Sequence, residues 1–195
     1  MPEPPRRARD LRLLDHIDAH PRRPYTGTLW RVGRSGRDPV LGGKSVSRWC
    51  NGKFDVLFTS LERNGAVAEM YALLSLQPAF PSAVAFRAHR LHASVQQALH
   101  LVDLPTLARL GVDTDRYHER NYTKTQEIAD AALFLGFDGL VVPSARWKCT
   151  NAVLFTDRIE PAQLLLEESE RTPIDWQEWR RQTGAARPRS RHSPA

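Results

Sequence analysis

Two spacings of hydrophobic residues run along the chain, and each predicts a kind of element. Over residues 9–20, Leu11, Leu14 and Ile17 fall on one helical face and Pro21 stops the run, which predicts a first helix. TLWRV at 28–32 predicts a short strand, RSGRDPVLGGKS a loop rich in Gly and Pro, and DVLFTS at 55–60 a second strand. Asn64 is placed to cap a helix over residues 65–77, ended by Pro78, with Val67, Met70, Tyr71 and Leu74 on one apolar face. Further strands are predicted at 83–91, 100–102, 139–142 and 153–155, and a helix at 126–135 closed by Gly136. Strands and helices mixed without regular alternation predict an α+β fold. No repeat or clear linker interrupts the pattern, so one domain is expected over residues 25–160. Residues 1–24 then form an N-terminal helical extension, and 161–195 a C-terminal segment ending in a basic tail expected to be disordered.

The 65–77 helix breaks its own pattern. Residues 64–86 hold a single charged side chain, Glu69, in a chain that is 26% charged. Its neighbours at helical spacing are Ala66, Ala72 and Leu73, so the helix is apolar on more than one side and predicts burial around a carboxylate. Two other polar residues have similar settings: Arg31 inside TLWRV, and Ser144 after the strand GLVV, in VVPSAR. Taken singly, each reads as an ordinary structural group, since ion pairs also occupy such places.

Composition removes several alternatives. With 41% hydrophobic residues, five Trp and seven Phe, the chain is globular. No apolar run reaches the length of a membrane span, and the basic start leads into LRLLDHIDAH rather than a secretory core, so cytoplasmic residence and no membrane contact are expected. Cys50 and Cys149 make neither a disulfide framework nor a zinc pattern. The net charge of +6 resides mostly in the segment from Arg180 onward, which has five arginines and no acid. The body lacks a basic stripe with interleaved aromatics, so direct nucleic-acid binding is not expected. GGKS at 42–45 lacks the glycine a phosphate-binding loop needs at position 38, where Asp38 stands. His16 and His20 have the i,i+4 spacing of helical metal ligands but no third ligand, and no metal is expected.

The ordered series LWRV, RWCNGKFDVLFTS, AVAEMYALL, YTKTQEIADAALFLGFDGLVVPSAR and NAVLF resembles the RES-domain family over about residues 28–159. That family takes its name from an arginine, a glutamate and a serine. The resemblance implies a fold similar to ADP-ribosyltransferase toxins, NAD+ as substrate, and a cognate DNA-binding, Xre-like antitoxin. The family arginine falls on Arg31 and the glutamate on Glu69. A second arginine with its aromatic falls on Arg48 and Trp49, and a strand aromatic, commonly tyrosine, on Phe58, followed by Thr59 and Ser60. The serine falls on Ser144, or its role passes to Thr123. The position after the first arginine, often tyrosine, is Val32.

NAD+ cleavage explains why one carboxylate suffices. Glycosidases use two because a departing alkoxide must be protonated. Nicotinamide in NAD+ is cationic and leaves neutral, so only the developing ribose cation needs a carboxylate. The resemblance gives Glu69 that role, with Arg31 and Arg48 holding phosphates. Trp49 or Phe58 would stack on nicotinamide, and Ser60, Thr123 or Ser144 would bond a carboxamide or hydroxyl. Three functions follow. The first is an NAD+-depleting toxin using water or inorganic phosphate. The second is a mono-ADP-ribosyltransferase with a protein target. The third is a non-catalytic module binding nucleic acid or a partner through the tail.

Overall fold

A computed structural model describes residues 9–185. In chain order the elements are α1 (Leu11–Asp18), β1 (Arg23–Arg34), β2 (Val46–Ser47), β3 (Cys50–Asn51), β4 (Val56–Ser60), α2 (Arg63–Leu74), β5 (Phe86–His100) and α3 (Leu104–Arg109). They continue with α4 (Thr123–Phe134), β6 (Gly139–Pro143), β7 (Thr150–Phe155), β8 (Leu164–Ser169) and α5 (Trp176–Thr183). The fold is α+β, as the sequence predicts. Among the described residues no helix is long and apolar enough to cross a membrane.

The main sheet runs β1-β4-β7-β6-β5-β8, and β1 also pairs with β5, which closes five strands into a ring with β8 outside β5. The closing seam is long, from Arg34 opposite Phe86 to Arg23 opposite Ala98. The contact between β1 and β4 is a single register pair, Trp30 opposite Ser60. Because strand side chains alternate, one face of the ring collects Leu29, Leu57, Leu91, Ala93, Ala152 and Leu154. The other face meets helices. Val56, Val142, Val153 and Phe155 pack with Leu13 and Ile17 of α1 and Ile128 and Ala132 of α4. Val32 and Ala88 pack with Val67 and Tyr71 of α2 and Trp176 and Trp179 of α5.

Several elements differ from the sequence expectation. The strand predicted at 28–32 runs the whole of Arg23–Arg34, because pairing to β5 holds residues whose own pattern is polar. The strands predicted at 83–91 and 100–102 are one continuous β5. Its buried positions include small Ala88 and Ala93, and the Asp138 carboxylate accepts the backbone N–H groups of Gln96 and Gln97 at 3.1 and 2.8 Å in its second half. Helix α2 begins at Arg63 behind Glu62, not behind an Asn64 cap. β8 and α5 lie beyond the expected domain limit at 160. Both join the same structure, β8 by pairing with β5 and α5 through its two buried tryptophans. Helix α1 of the expected extension is likewise buried on α4. Of the arginine-rich tail, Arg187, Arg189 and Arg191 lie outside the described residues.

Helix α5 forms because Asp175 accepts the N–H groups of Gln177 and Glu178 at 2.9 Å and Gly184 ends it at φ 69°. Trp179 stands 5.3 Å from the Tyr71 ring and 6.3 Å from the Trp147 ring, so α5 braces both α2 and the loop after β6. Trp179→Ala is expected to lower stability by about 3–5 kcal/mol, the usual cost of emptying a buried aromatic site. Urea unfolding checks this.

His89 of β5 is buried, with Nδ1 2.8 Å from Ser169 Oγ. Burial, then the charges of Arg31 and Arg87, hold its pKa below the ordinary histidine value. Burial lowers His20 and His100 as well. As pH falls below about 6.5, the unfolded chain takes up these protons before the folded one does. Stability is therefore full above that value and falls as pH drops through the folded pKa. Urea midpoints should fall between neutral and mildly acidic pH, and His89→Gln should flatten that slope.

Candidate active site

Helix α2 approaches the ends of β4 and β7 at a glycine. A methyl group on Gly65 would overlap Ser60 Oγ and Cys149 Sγ, so the absence of a Cβ lets the helix lie directly on them. One turn later on the same stripe stands Glu69. Its Oε1 accepts the Ser144 hydroxyl at 2.7 Å and the Asn151 amide at 2.9 Å. Asn151 is opposite both Ser60 in β4 and Val142 in β6, so these strands share one face and Ser144 leaves β6 on it.

Ser144 is fully engaged. Its oxygen donates to Glu69 and accepts the N–H groups of Arg146 and Trp147 at 3.1 and 3.2 Å, which fixes the turn after β6. Among the described residues no hydrogen bond reaches the second carboxylate oxygen, Oε2. One oxygen is thus held by two neutral donors, and the other is left to accept from a ligand. The carboxylate is half-buried rather than sealed in the core.

Arg48 is the cation that feels the charge of Glu69. The Arg48 guanidinium sits 4.5 Å from the Tyr117 ring and 5.0 Å from the Tyr122 ring, and one Nη donates to Glu119 O at 3.1 Å. Burial lowers its pKa, partly offset by the two tyrosines and by Glu69, while Arg146 adds a like charge. Burial also pushes the Tyr117 hydroxyl well above the ordinary tyrosine range, and Arg48 acts against that. Arg48, Tyr117 and Glu69 therefore share one electrostatic field.

The remaining residues expected at the site divide. Phe58 shares the face of Ser60 and is 38% exposed, so its ring is presented beside the site. Trp49 is 3% exposed and packed in the main core. Ser60 is fully buried; its hydroxyl lies 3.2 Å from Cys149 Sγ and accepts the Glu62 N–H at 3.3 Å, which secures the turn into α2. Thr123 opens α4 and lines a cavity of about 170 Å³ with Tyr117, Glu119 and Asn121, without contact to Glu69. Ser144, not Thr123, is the hydroxyl that meets the glutamate.

Arg31 is not brought against Glu69 either. It projects from the face of β1 opposite Trp30 and Val32, the residues that pack with α2. Its Nη1 donates to Pro39 O at 2.7 Å and Leu41 O at 2.8 Å. Burial lowers its pKa, and Asp38 offsets this. Among the described residues no carboxylate forms an ion pair with it, so Nε and Nη2 keep donors for an anion.

Sequence reasoning misses Gly65, Asn151, Tyr117 and Tyr122 as site residues. A glycine inside an apolar helix was a usable signal for the first. Asn151 opens NAVLF, where a polar residue leads an otherwise apolar strand. Nothing local marks the two tyrosines.

The model of the RES domain matches residues 28–177 of this chain. The probable NAD(+) phosphorylase Rv3189 of Mycobacterium tuberculosis is 33% identical over 141 residues, which cover 69% of this chain and 66% of that protein. The chain thus spans just under two thirds of that relative. The NAD(+) phosphorylase MbcT of Mycobacterium bovis is 26% identical over 183 residues, 89% of this chain and 97% of its own length. Among solved structures, the M. tuberculosis MbcT–MbcA toxin–antitoxin complex contains a chain that superposes with a TM-score of 0.78 at 21% identity, over 91% of this chain and all of that one. At that identity the likeness speaks for the fold, and the family match covers most of the sequence: this chain belongs to the RES-domain family.

Proposed function

We propose that this chain is the NAD+-consuming toxin of a toxin–antitoxin pair. It breaks the nicotinamide–ribose bond and passes ADP-ribose to inorganic phosphate or water. The observation that carries the reading is the Glu69 carboxylate, held at Oε1 by Ser144 and Asn151 while, among the described residues, no hydrogen bond reaches Oε2, with its charge felt by the Arg48 guanidinium. As the glycosidic bond breaks, its electron pair goes to the nicotinamide nitrogen, which leaves neutral and needs no proton. Oε2 accepts a ribose hydroxyl and stabilises the positive charge on the sugar. Arg48, its planar group held against two rings, takes a phosphate of the substrate. Phe58 offers the exposed ring for stacking.

The names of Rv3189 and MbcT put phosphate first among the acceptors. An unchecked NAD+ consumer harms its own cell. A cognate antitoxin of the DNA-binding, Xre-like kind and a cytoplasmic place of action therefore belong to the same reading. The test is product analysis with NAD+ labelled in its adenosine half, with and without inorganic phosphate. Phosphorylated ADP-ribose that depends on added phosphate, or free ADP-ribose, supports the proposal. Label fixed to protein would move the chain to the transferase reading, and unchanged NAD+ would remove the enzymatic one.

A further inference from the structure

The segment 110–122 between α3 and α4 has no regular secondary structure, yet Tyr117 within it is 6% exposed. Short bonds shape it: Arg116 N–H donates to Asp113, Tyr117 N–H to Thr114 O at 3.3 Å, and Glu119 N–H to Arg116 O at 2.8 Å. These turn the Tyr117 side chain inward. Its hydroxyl donates to Pro143 O at 2.8 Å, and Pro143 immediately precedes Ser144, the donor to Glu69. Its ring faces the Arg48 guanidinium at 4.5 Å. Arg48 in turn bonds the carbonyl of Glu119, two residues along the same segment. One side chain thus touches both halves of the site: its hydroxyl holds the strand end that aims the carboxylate's partner, and its ring holds the cation.

We propose that Tyr117 is a positioning residue that sets the Ser144–Glu69 pair and the Arg48 guanidinium in register with each other. This rests on the NAD+-cleaving reading of the site. An aromatic that only filled space would have no use for a hydroxyl directed at the carbonyl before Ser144. The two functions reside in different atoms, so two substitutions separate them. Tyr117→Phe keeps the ring beside Arg48 and removes the bond to Pro143 O. The turn carrying Ser144 then loosens, and kcat for NAD+ loss should fall about tenfold with KM nearly unchanged, the scale expected for one lost hydrogen bond. Tyr117→Leu removes the ring as well, and KM for NAD+ should also rise about tenfold as Arg48 loses its aromatic face.

The measurement is steady-state NAD+ consumption by wild type and both variants, with each folded fraction fixed by circular dichroism and thermal unfolding. A kcat effect in Phe, joined by a KM effect only in Leu, supports the proposal. It is overturned if Phe matches wild type, or if both variants lose activity only in proportion to their folded fraction. Wild type and Glu69→Gln that are equally inert on NAD+ would overturn the underlying function as well. An active wild type beside an unaffected Phe variant would overturn the positioning role alone.

Discussion

Glu69→Gln is expected to cut NAD+ consumption by roughly 10²–10³-fold, the usual loss when one preorganised electrostatic group leaves an active site. The variant should stay folded. A glutamine can keep its carbonyl oxygen where Oε1 now accepts Ser144 and Asn151, so both bonds survive. The change falls at the other end: where Oε2 offers a charged acceptor, the amide presents N–H donors and no charge. A ribose cation forming there gains no countercharge, and the ribose hydroxyl meets a donor instead of an acceptor. The site is partly shielded from water, so the missing charge is felt more strongly than it would be in bulk solvent. Cellular NAD+ after induced expression, followed beside an unchanged circular dichroism spectrum, checks this. Undiminished NAD+ loss in the variant would take Glu69 out of the chemistry.

Gly65→Ala should separate position from chemistry. Alanine is the better helix former by about 1 kcal/mol, so propensity alone predicts a gain. Packing predicts the reverse, because the new methyl group meets Ser60 Oγ and Cys149 Sγ, and Ser60 is fully buried and tied to the start of α2. Overpacking of this kind typically costs about 1–3 kcal/mol. The net change in stability should therefore be small, about 0–2 kcal/mol toward destabilisation. Activity should fall much further. To relieve the overlap α2 moves off β4 and β7, and Glu69 moves with it; a shift of about 1 Å can cost 10²-fold in rate. Adding Ser60→Ala removes one of the two overlapping atoms and should restore part of the activity. Paired kinetic and urea measurements on the single and double variants test this. Full activity in Gly65→Ala would show that the close approach does not place the carboxylate.

Helix α2 shows what the sequence could carry. One acid among residues 64–86 marks Glu69 without any structure, since a charge left in so apolar a run needs partners or a task. Ser144 was legible as one candidate, because VVPSAR follows a plain strand pattern, but Thr123 and Ser60 stood beside it, and the hydrogen bond to Glu69 is seen only in the structure. The pairing of cations was not legible. Arg31 sits in a strand pattern and Arg48 outside any, and neither stretch says where its guanidinium points. Closing β1 onto β5 turns Arg31 toward the 35–45 loop, while the chain around β2 and β3 delivers Arg48 to Tyr117 and Tyr122. The placement of Trp49 was hidden for a similar reason. It shares the turn between β2 and β3 with Arg48, and nothing in that turn's sequence says that its ring packs into the core while the guanidinium meets the tyrosines.

The C-terminal elements were hidden because their burial is almost wholly borrowed. LLLEES of β8 has one buried position, and α5 has two, Trp176 and Trp179. Periodicity reads a face only when the segment itself carries enough apolar residues to display it. What the sequence alone determined is the fold class, the apolar helix with its single acid, and the serine turn, because each follows from local spacing and composition. What only the tertiary structure decided is which cation shares the field of that acid, that a bare glycine lets the acid reach its donors, and that Tyr117 joins the two halves. Those depend on distances between segments far apart in the chain, which strand pairing and packing set and no local pattern records.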